Sequence, residues 1–168
     1  MKANRKLISV CSEKKVKDYY FCKSLANFFD DSLILNINEG AFQLCEKLVP
    51  NFTRRDYFLN NKFCQDSFDK VLNFYRRTNK YFWSPHLEVM LTINPKEEYV
   101  FIYGVKDRYD MSLLKTMGAI NIFYGNDHED LDLFDVIHQE DGNLSKVILE
   151  TVCMIENKWS QHDQLQKV

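Results

Sequence analysis

The chain has 168 residues, enough for one domain with its own core and too few for two. Hydrophobic residues make up 45%, aromatics 14% and charged residues 27%, a composition that excludes a disordered tail, and a net charge of -2 argues against a strongly basic nucleic-acid footprint. Only 5 residues are glycine, Gly40, Gly104, Gly118, Gly125 and Gly142, well under the roughly 7% of an average chain. None falls in the first 39 positions, which disfavours chemistry that needs a glycine-rich loop near the N-terminus.

The 5 cysteines, Cys11, Cys22, Cys45, Cys64 and Cys153, contain no C-x-x-C pair and are odd in number, the pattern of reduced thiols in a cytoplasmic compartment. His86, His128, His138 and His162 have no ligand spacing, so no metal is expected. The N-terminal stretch lacks the roughly 7–15-residue apolar core of a signal peptide, and no apolar run reaches the roughly 18 residues of a membrane helix. The expectation is a soluble, cytoplasmic chain with no membrane partner and no cofactor.

In chain order, Leu7-Ile-Ser-Val-Cys11 reads as a buried first strand, followed by a polar loop. Asp18 reads as the N-cap of a helix running to about Phe29, with Tyr20, Phe21, Ser24, Leu25 and Phe28 on one face. Ser32 to Ile37 is a second strand. Ala41, Leu44, Cys45 and Leu48 mark a second helix that Pro50 ends. Residues 51–62 are mixed, irregular or a short helix. Phe68, Val71, Leu72 and Tyr75 mark a third helix ending near Arg77, and Tyr81 to Leu91 a fourth with Pro85 in its first turn.

Tyr99-Val-Phe-Ile-Tyr103 is the clearest central strand, closed by Gly104. A helix around Met111 ends at Gly118, Ile120 to Tyr124 is a strand, and Phe134 to Ile137 is a short one. A final amphipathic helix spans Leu144 to Trp159, with Val147, Ile148, Thr151, Val152 and Ile155 inward. The domain is read as residues 1–160, with 161–168 a polar tail lacking periodicity. Alternating strands and helices argue for a three-layer α/β fold, a parallel sheet with helices on both faces. Ligands bind such sheets outside the carboxyl ends of the strands, which directs attention to loops 11–18, 37–41, 104–110 and 124–130.

Taken together, those loops resemble the phage deoxynucleoside monophosphate kinases and their relatives the animal-type phosphomevalonate kinases, both P-loop phosphotransferases. Tyr99 to Ala119 looks like the family's strand, D-x-R turn, acidic residue, helix and terminal Gly-Ala. Phe134-Asp-Val-Ile137, then Asp141-Gly142-Asn-Leu144, is similar to its closing strand, turn and helix, and Trp83 sits where the family often has a tryptophan. The resemblance runs from Leu7 to Trp159 and implies a nucleoside-monophosphate-kinase-like fold.

The departures fall on the chemistry. A P-loop wraps phosphates with glycine backbone N–H groups, reaches them with a lysine and holds Mg²⁺ with a hydroxyl. The matching stretch here is Ser12, Glu13, Lys14, Lys15, Val16, Lys17 and Asp18, with no glycine and with Tyr19 in place of the usual Thr. A carboxylate within ~5 Å of a phosphate charge costs about 3 kcal/mol at an effective dielectric near 20, and Glu13 brings one to this loop. In the second turn, Gly104 and Lys106 stand where the family has Asp and Arg, and Asp110 keeps only the later acidic position. The resemblance with these losses implies a catalytically inactive relative that binds a protein partner, with nucleotide binding not expected. The likeness to phage enzymes further implies a viral chain, in host cytoplasm or virion.

Two other readings stay open. A divergent small-molecule kinase would use Lys14, Lys15, Lys17 and Lys106 in place of the usual set. A nucleic-acid surface would use Arg54, Arg55, Arg76, Arg77 and Lys80 with the aromatics at 81–83, although arginines on a solvated helix face are the commoner case. Asp127, Glu129, Asp130, Asp132 and Asp135 read as an acidic solvated loop in preference to a cation site.

Overall fold

The structure is a computed structural model that describes residues 5–12, 15–78, 84–94, 96–105, 108–126, 131–139 and 143–165. Five strands, β1 (Lys6–Ser12), β2 (Ser32–Asn36), β3 (Tyr99–Tyr103), β4 (Ile120–Tyr124) and β5 (Val136–His138), form one all-parallel sheet in the order β2-β3-β1-β4-β5. Seven helices accompany it among the described residues: α1 (Lys15–Ala26), α2 (Glu39–Leu48), α3 (Arg54–Phe58), α4 (Lys62–Thr78), α5 (Ser84–Ile93), α6 (Arg108–Thr116) and α7 (Leu144–Leu165). This is the three-layer α/β arrangement expected, consistent with a P-loop-like fold.

β1, β3 and β4 are buried on both faces, which is why they read as largely apolar runs, whereas the edge strands β2 and β5 are only partly covered. Ile34, Phe101, Ile8 and Ile120 are aligned across four strands and point to one face, where Phe21, Leu25, Val152 and Ile155 of α1 and α7 cover them. One residue further along, Leu35, Ile102, Ser9 and Asn121 form the next rank on the opposite face, under α5 and α6. Ser9 and Asn121 are buried polar neighbours that satisfy each other: the Ser9 hydroxyl donates to Asn121 Oδ1 at 2.5 Å. The Asn121 amide donates to the carbonyls of Met111 and Leu133, both at 3.1 Å, so the pair also fastens α6 to the sheet.

A third core lies off the end of β2, where Phe42, Cys45, Tyr57, Cys64, Phe68 and Leu72 bring α2, α3 and α4 together. It joins the two helices expected from the sequence, α2 and α4, through Tyr57 of α3 in the stretch that reads as mixed. Thr53 caps α3: its hydroxyl oxygen accepts the Asp56 N–H at 3.0 Å and donates back to the Asp56 carboxylate at 2.8 Å. Asn61 Oδ1 accepts the Cys64 N–H at 3.2 Å, so α4 begins at Lys62, a turn and a half before the first apolar residue assigned to it.

Several sequence expectations shift. α1 begins three residues before Asp18, which is a buried first-turn residue and not its N-cap. Tyr20 and Phe28, assigned to the inner face of that helix, are 58% and 51% exposed, whereas Phe21, Cys22, Leu25 and Ala26 are buried. Leu48 of α2 is likewise exposed. α1 ends at Ala26, and Phe29 reaches the core from the following turn, its ring 4.5 Å from that of Tyr99. β5 starts two residues later than expected, at Val136. α7 continues past 160 to Leu165, so most of the expected tail is helical. Its five assigned inward residues are all buried. Among the described residues no helix is long and apolar enough to cross a membrane.

Candidate functional site

Because every strand points the same way, the ends of β1, β2, β3 and β4 and the starts of α1, α2 and α6 gather at one edge of the sheet. This is where doubly wound sheets bind ligands, and the loops singled out in the sequence lie here. Ser12 closes β1 and its hydroxyl donates to the Asp18 carboxylate, which is 3% exposed in the first turn of α1. A carboxylate there complements the positive end of the helix. Lys17 turns toward β4, its Nζ 6.0 Å from the Tyr124 ring centre. Glu13 and Lys14 lie outside the described residues, as does Lys106; Lys15 opens α1.

Asp110 stands in the first turn of α6, and Arg76 of α4 donates to its carboxylate at 2.8 Å. Both side chains are largely buried. The residue matched to the family's second-site acid and a residue assigned to a basic surface are thus partners in one ion pair. Arg54 is similarly held, donating to Glu39 at 2.8 and 2.7 Å and to Glu46 at 2.8 and 3.1 Å, with its guanidinium 5.4 Å from the Phe42 ring centre. The bonds to Glu39, ahead of those to Glu46, raise its pKa against the opposing effect of burial. Arg55 and Arg77 are exposed, and Lys80 lies outside the described residues together with Tyr81, Phe82 and Trp83. The expected basic surface is therefore divided: two of its arginines are committed to carboxylates within the fold.

Carboxylates add to the effect of burial on three titrating groups at this edge. Burial first, then Asp18 and Asp110, push the Cys11 thiol up to about 12 from an ordinary 9.0. Burial and Asp18 raise Cys22 well above the same value. Burial and then Glu39 raise Tyr103, against a lowering hydrogen bond from Asn36. Three groups on β1, α1 and β3 thus register negative charge from three different carboxylates.

Beside them is a half-open pocket of about 20 Å³ between the ends of β2 and β3, walled by Phe42, Tyr57 and Phe58. Gly104, matched in sequence to the family's aspartate, forms part of its lining. Its φ of +79° is left-handed, and a Cβ there would lie 2.7 Å from Asn36 Oδ1 and 3.1 Å from Asn38 Nδ2. Glycine is needed at 104 for both reasons. The Asn38 amide donates to the Gly104 carbonyl at 2.5 Å, and the Asn38 backbone N–H donates to Asn36 Oδ1 at 2.9 Å. Asn38 is 2% exposed and its Oδ1 has no hydrogen-bond partner.

The chain matches no known family model and no curated protein.

Sequence reasoning reached loop 37–41 without its asparagines. The available signal was two asparagines closing an apolar strand at its carboxyl end, a place where buried polar groups need a reason. Of the acidic loop, Asp135 accepts the Asn121 N–H at 2.9 Å, and Asp132 makes an exposed pair with Arg108 at 3.2 Å. Asp127, Glu129 and Asp130 lie outside the described residues. His138 Nε2 is 2.9 Å from the buried Thr151 hydroxyl. Among the described residues no three His, Cys, Asp or Glu side chains are grouped to hold a metal ion.

Proposed function

We propose that this chain is a catalytically inactive relative of the deoxynucleoside monophosphate kinases that serves as a protein-binding or scaffold component, within a viral complex. The observation that carries this reading is the sign of the charge at the edge where a P-loop enzyme would hold phosphates. Burial first, and then Asp18 and Asp110, push the Cys11 thiol at the end of β1 up to about 12, so both carboxylates act at that place. A polyphosphate brought to the same place meets that field as an anion. Asp110 is also bound to Arg76, so a guanidinium that could have faced a phosphate is turned to an internal carboxylate.

Apolar area left outside the fold supports a protein partner. Phe58, Leu59 and Phe63 are 38%, 67% and 52% exposed on α3, the turn after it and the start of α4. Phe63 and Phe74 are three helical turns apart on α4 and share a face, and Phe74 is 62% exposed. Exposed apolar groups clustered this way favour contact with another protein.

Isothermal titration with ATP·Mg²⁺ and with each deoxynucleoside monophosphate tests the reading. Binding no tighter than millimolar is expected for all of them, and micromolar ATP binding would overturn it.

A further inference from the structure

We infer that the outward face of α4 pairs, antiparallel, with the same face of a second copy of this chain, making the protein a symmetric dimer. The inference deepens the proposed function by naming the partner, and rests on it for the reading that this face meets protein. α4 runs 17 residues, a length of about 25 Å. Its Cys64, Phe68 and Leu72 turn inward to the third core, which leaves Phe63, Asp66, Lys70, Phe74 and Arg77 exposed on the other side. At about 100° per residue, Phe63 and Phe74 lie about 20° apart around the helix, and Ser67 and Lys70 fall between them. Both rings are more than half exposed, at 52% and 62%.

The order of residues along this face is the first argument. It runs phenylalanine, acid, serine, base, phenylalanine, from Phe63 through Asp66, Ser67 and Lys70 to Phe74. Reversed, the rings still fall on rings and each charge falls on its opposite. In the register that sets Phe63 against the partner's Phe74, Asp66 lies beside the partner's Lys70, and the two-fold axis repeats both contacts. Ser67 sits near that axis, where a small side chain lets two helices approach. A parallel pair would set acid on acid and base on base, so charge selects the antiparallel arrangement.

The commitments of the charged groups are the second argument. Arg54 and Arg76 are held by carboxylates within the fold, whereas among the described residues Asp66, Lys70 and Arg77 make no ion pair. Exposed ion pairs fix orientation and contribute little affinity, which falls to the stacked rings. Leu59, 67% exposed in the turn before α4, lies where the partner's Arg77 arrives, so the arginine stem covers it. A net charge of -2 gives little repulsion between copies.

Sedimentation equilibrium of the full chain over about 5–500 µM tests the pairing; a helix-pair interface is small for a specific complex, so a micromolar dimer is expected. Asp66→Lys and Lys70→Asp each turn both symmetric ion pairs into like-charge pairs and should weaken the dimer about tenfold or more. Both positions are exposed, so neither substitution disturbs the core. The two variants mixed together should associate, because every contact between unlike chains again joins opposite charges. Phe74→Ser should weaken the native dimer as well. A chain still monomeric at the highest concentration, a dimer indifferent to charge reversal, or mixed variants that stay apart would each overturn the inference. So would a monomer that instead binds single-stranded DNA through Lys70 and Arg77. ATP·Mg²⁺ titrated in parallel separates the two claims. Micromolar ATP binding by a dimer defeats the inactive-kinase reading and leaves the pairing, whereas a monomer silent toward ATP defeats the pairing alone.

Discussion

The Arg76–Asp110 pair offers a direct test of whether the second-site acid is committed to the fold. Its oxygen and nitrogen are 2.8 Å apart, with side-chain exposures of 15% for Arg76 and 5% for Asp110. With charge centres ~4 Å apart and an effective dielectric near 20, the attraction is about 4 kcal/mol, and deleting one partner of a buried pair typically costs about 3–5 kcal/mol. Arg76→Met keeps the apolar stem and removes the charge, leaving the Asp110 carboxylate buried beside a thioether. For a chain of this size, where about 1 kcal/mol corresponds to roughly 2–4 °C, the melting temperature should fall by roughly 6–20 °C. Urea unfolding followed by circular dichroism gives the free energy. Asp110→Leu should cost a comparable amount, and the double variant much less than the sum, because no unpaired charge remains. The deficit of Arg76→Met should also narrow on acidification, as protonation of the Asp110 carboxylate removes its buried charge. A loss under about 1 kcal/mol, or additive single effects, would mean that solvent screens the pair. Asp110 would then be available to a ligand and the argument from its commitment would fail.

Gly104→Ala should destabilise the protein by about 2–5 kcal/mol, combining the left-handed backbone with the close approach to Asn36; an unchanged thermal midpoint would refute that account. The raised thiols predict an alkaline limit. Cys11 goes from 9.0 to about 12 and Cys45 to about 11, so each contributes stability that is complete below pH 9 and is lost as the pH climbs through the folded value. Urea midpoints measured from pH 8 to pH 11 should decline, and Cys11→Ala should make the decline shallower; a parallel decline in both proteins would refute the assignment. Under native conditions a thiol reagent should label Cys153 quickly and the buried Cys11, Cys22, Cys45 and Cys64 only on unfolding. Fast labelling of any of those four would contradict the core packing.

What was legible in the sequence follows from where each segment lies. β3 and β4 fall within their sequence-derived limits because strands covered on both faces read as short, largely apolar runs, here interrupted only by the hydrogen-bonded Asn121. The inner face of α7 was readable because one side of that helix meets the sheet and the other meets solvent. α1 was harder. Its exposed side carries Tyr19 and Tyr20, and Phe28 is exposed in the turn after it, so aromatic character does not distinguish its faces, and periodicity alone gives a phase that includes outward residues. The start of α4 and all of α3 depend on caps at Asn61 and Thr53, short hydrogen-bonding patterns that carry no hydrophobic period.

The site was legible as a place and not as a set of partners. Arg76 and Asp110 are 34 positions apart, and Asn38 and Gly104 are 66 apart; each pairing exists only because α4 and β3 return to the same edge of the sheet. Seen in sequence, arginines 54, 55, 76 and 77 form one basic group; folded, two of them answer carboxylates on other elements. The glycine shortage changes meaning in the same way. Left-handed turns are not scarce in this chain, since Asp31, Asn51 and Asn60 adopt φ of 52°, 62° and 62° where glycine would be the default. A local side-chain amide or carboxylate can replace glycine in a solvated turn, where a Cβ meets nothing. It cannot do so where a backbone must be approached closely, and at Gly104, under Asn36 and Asn38, glycine is present. A phosphate cradle is a second structure of that close-approach kind, and the stretch from Ser12 to Asp18 has no glycine with which to build one.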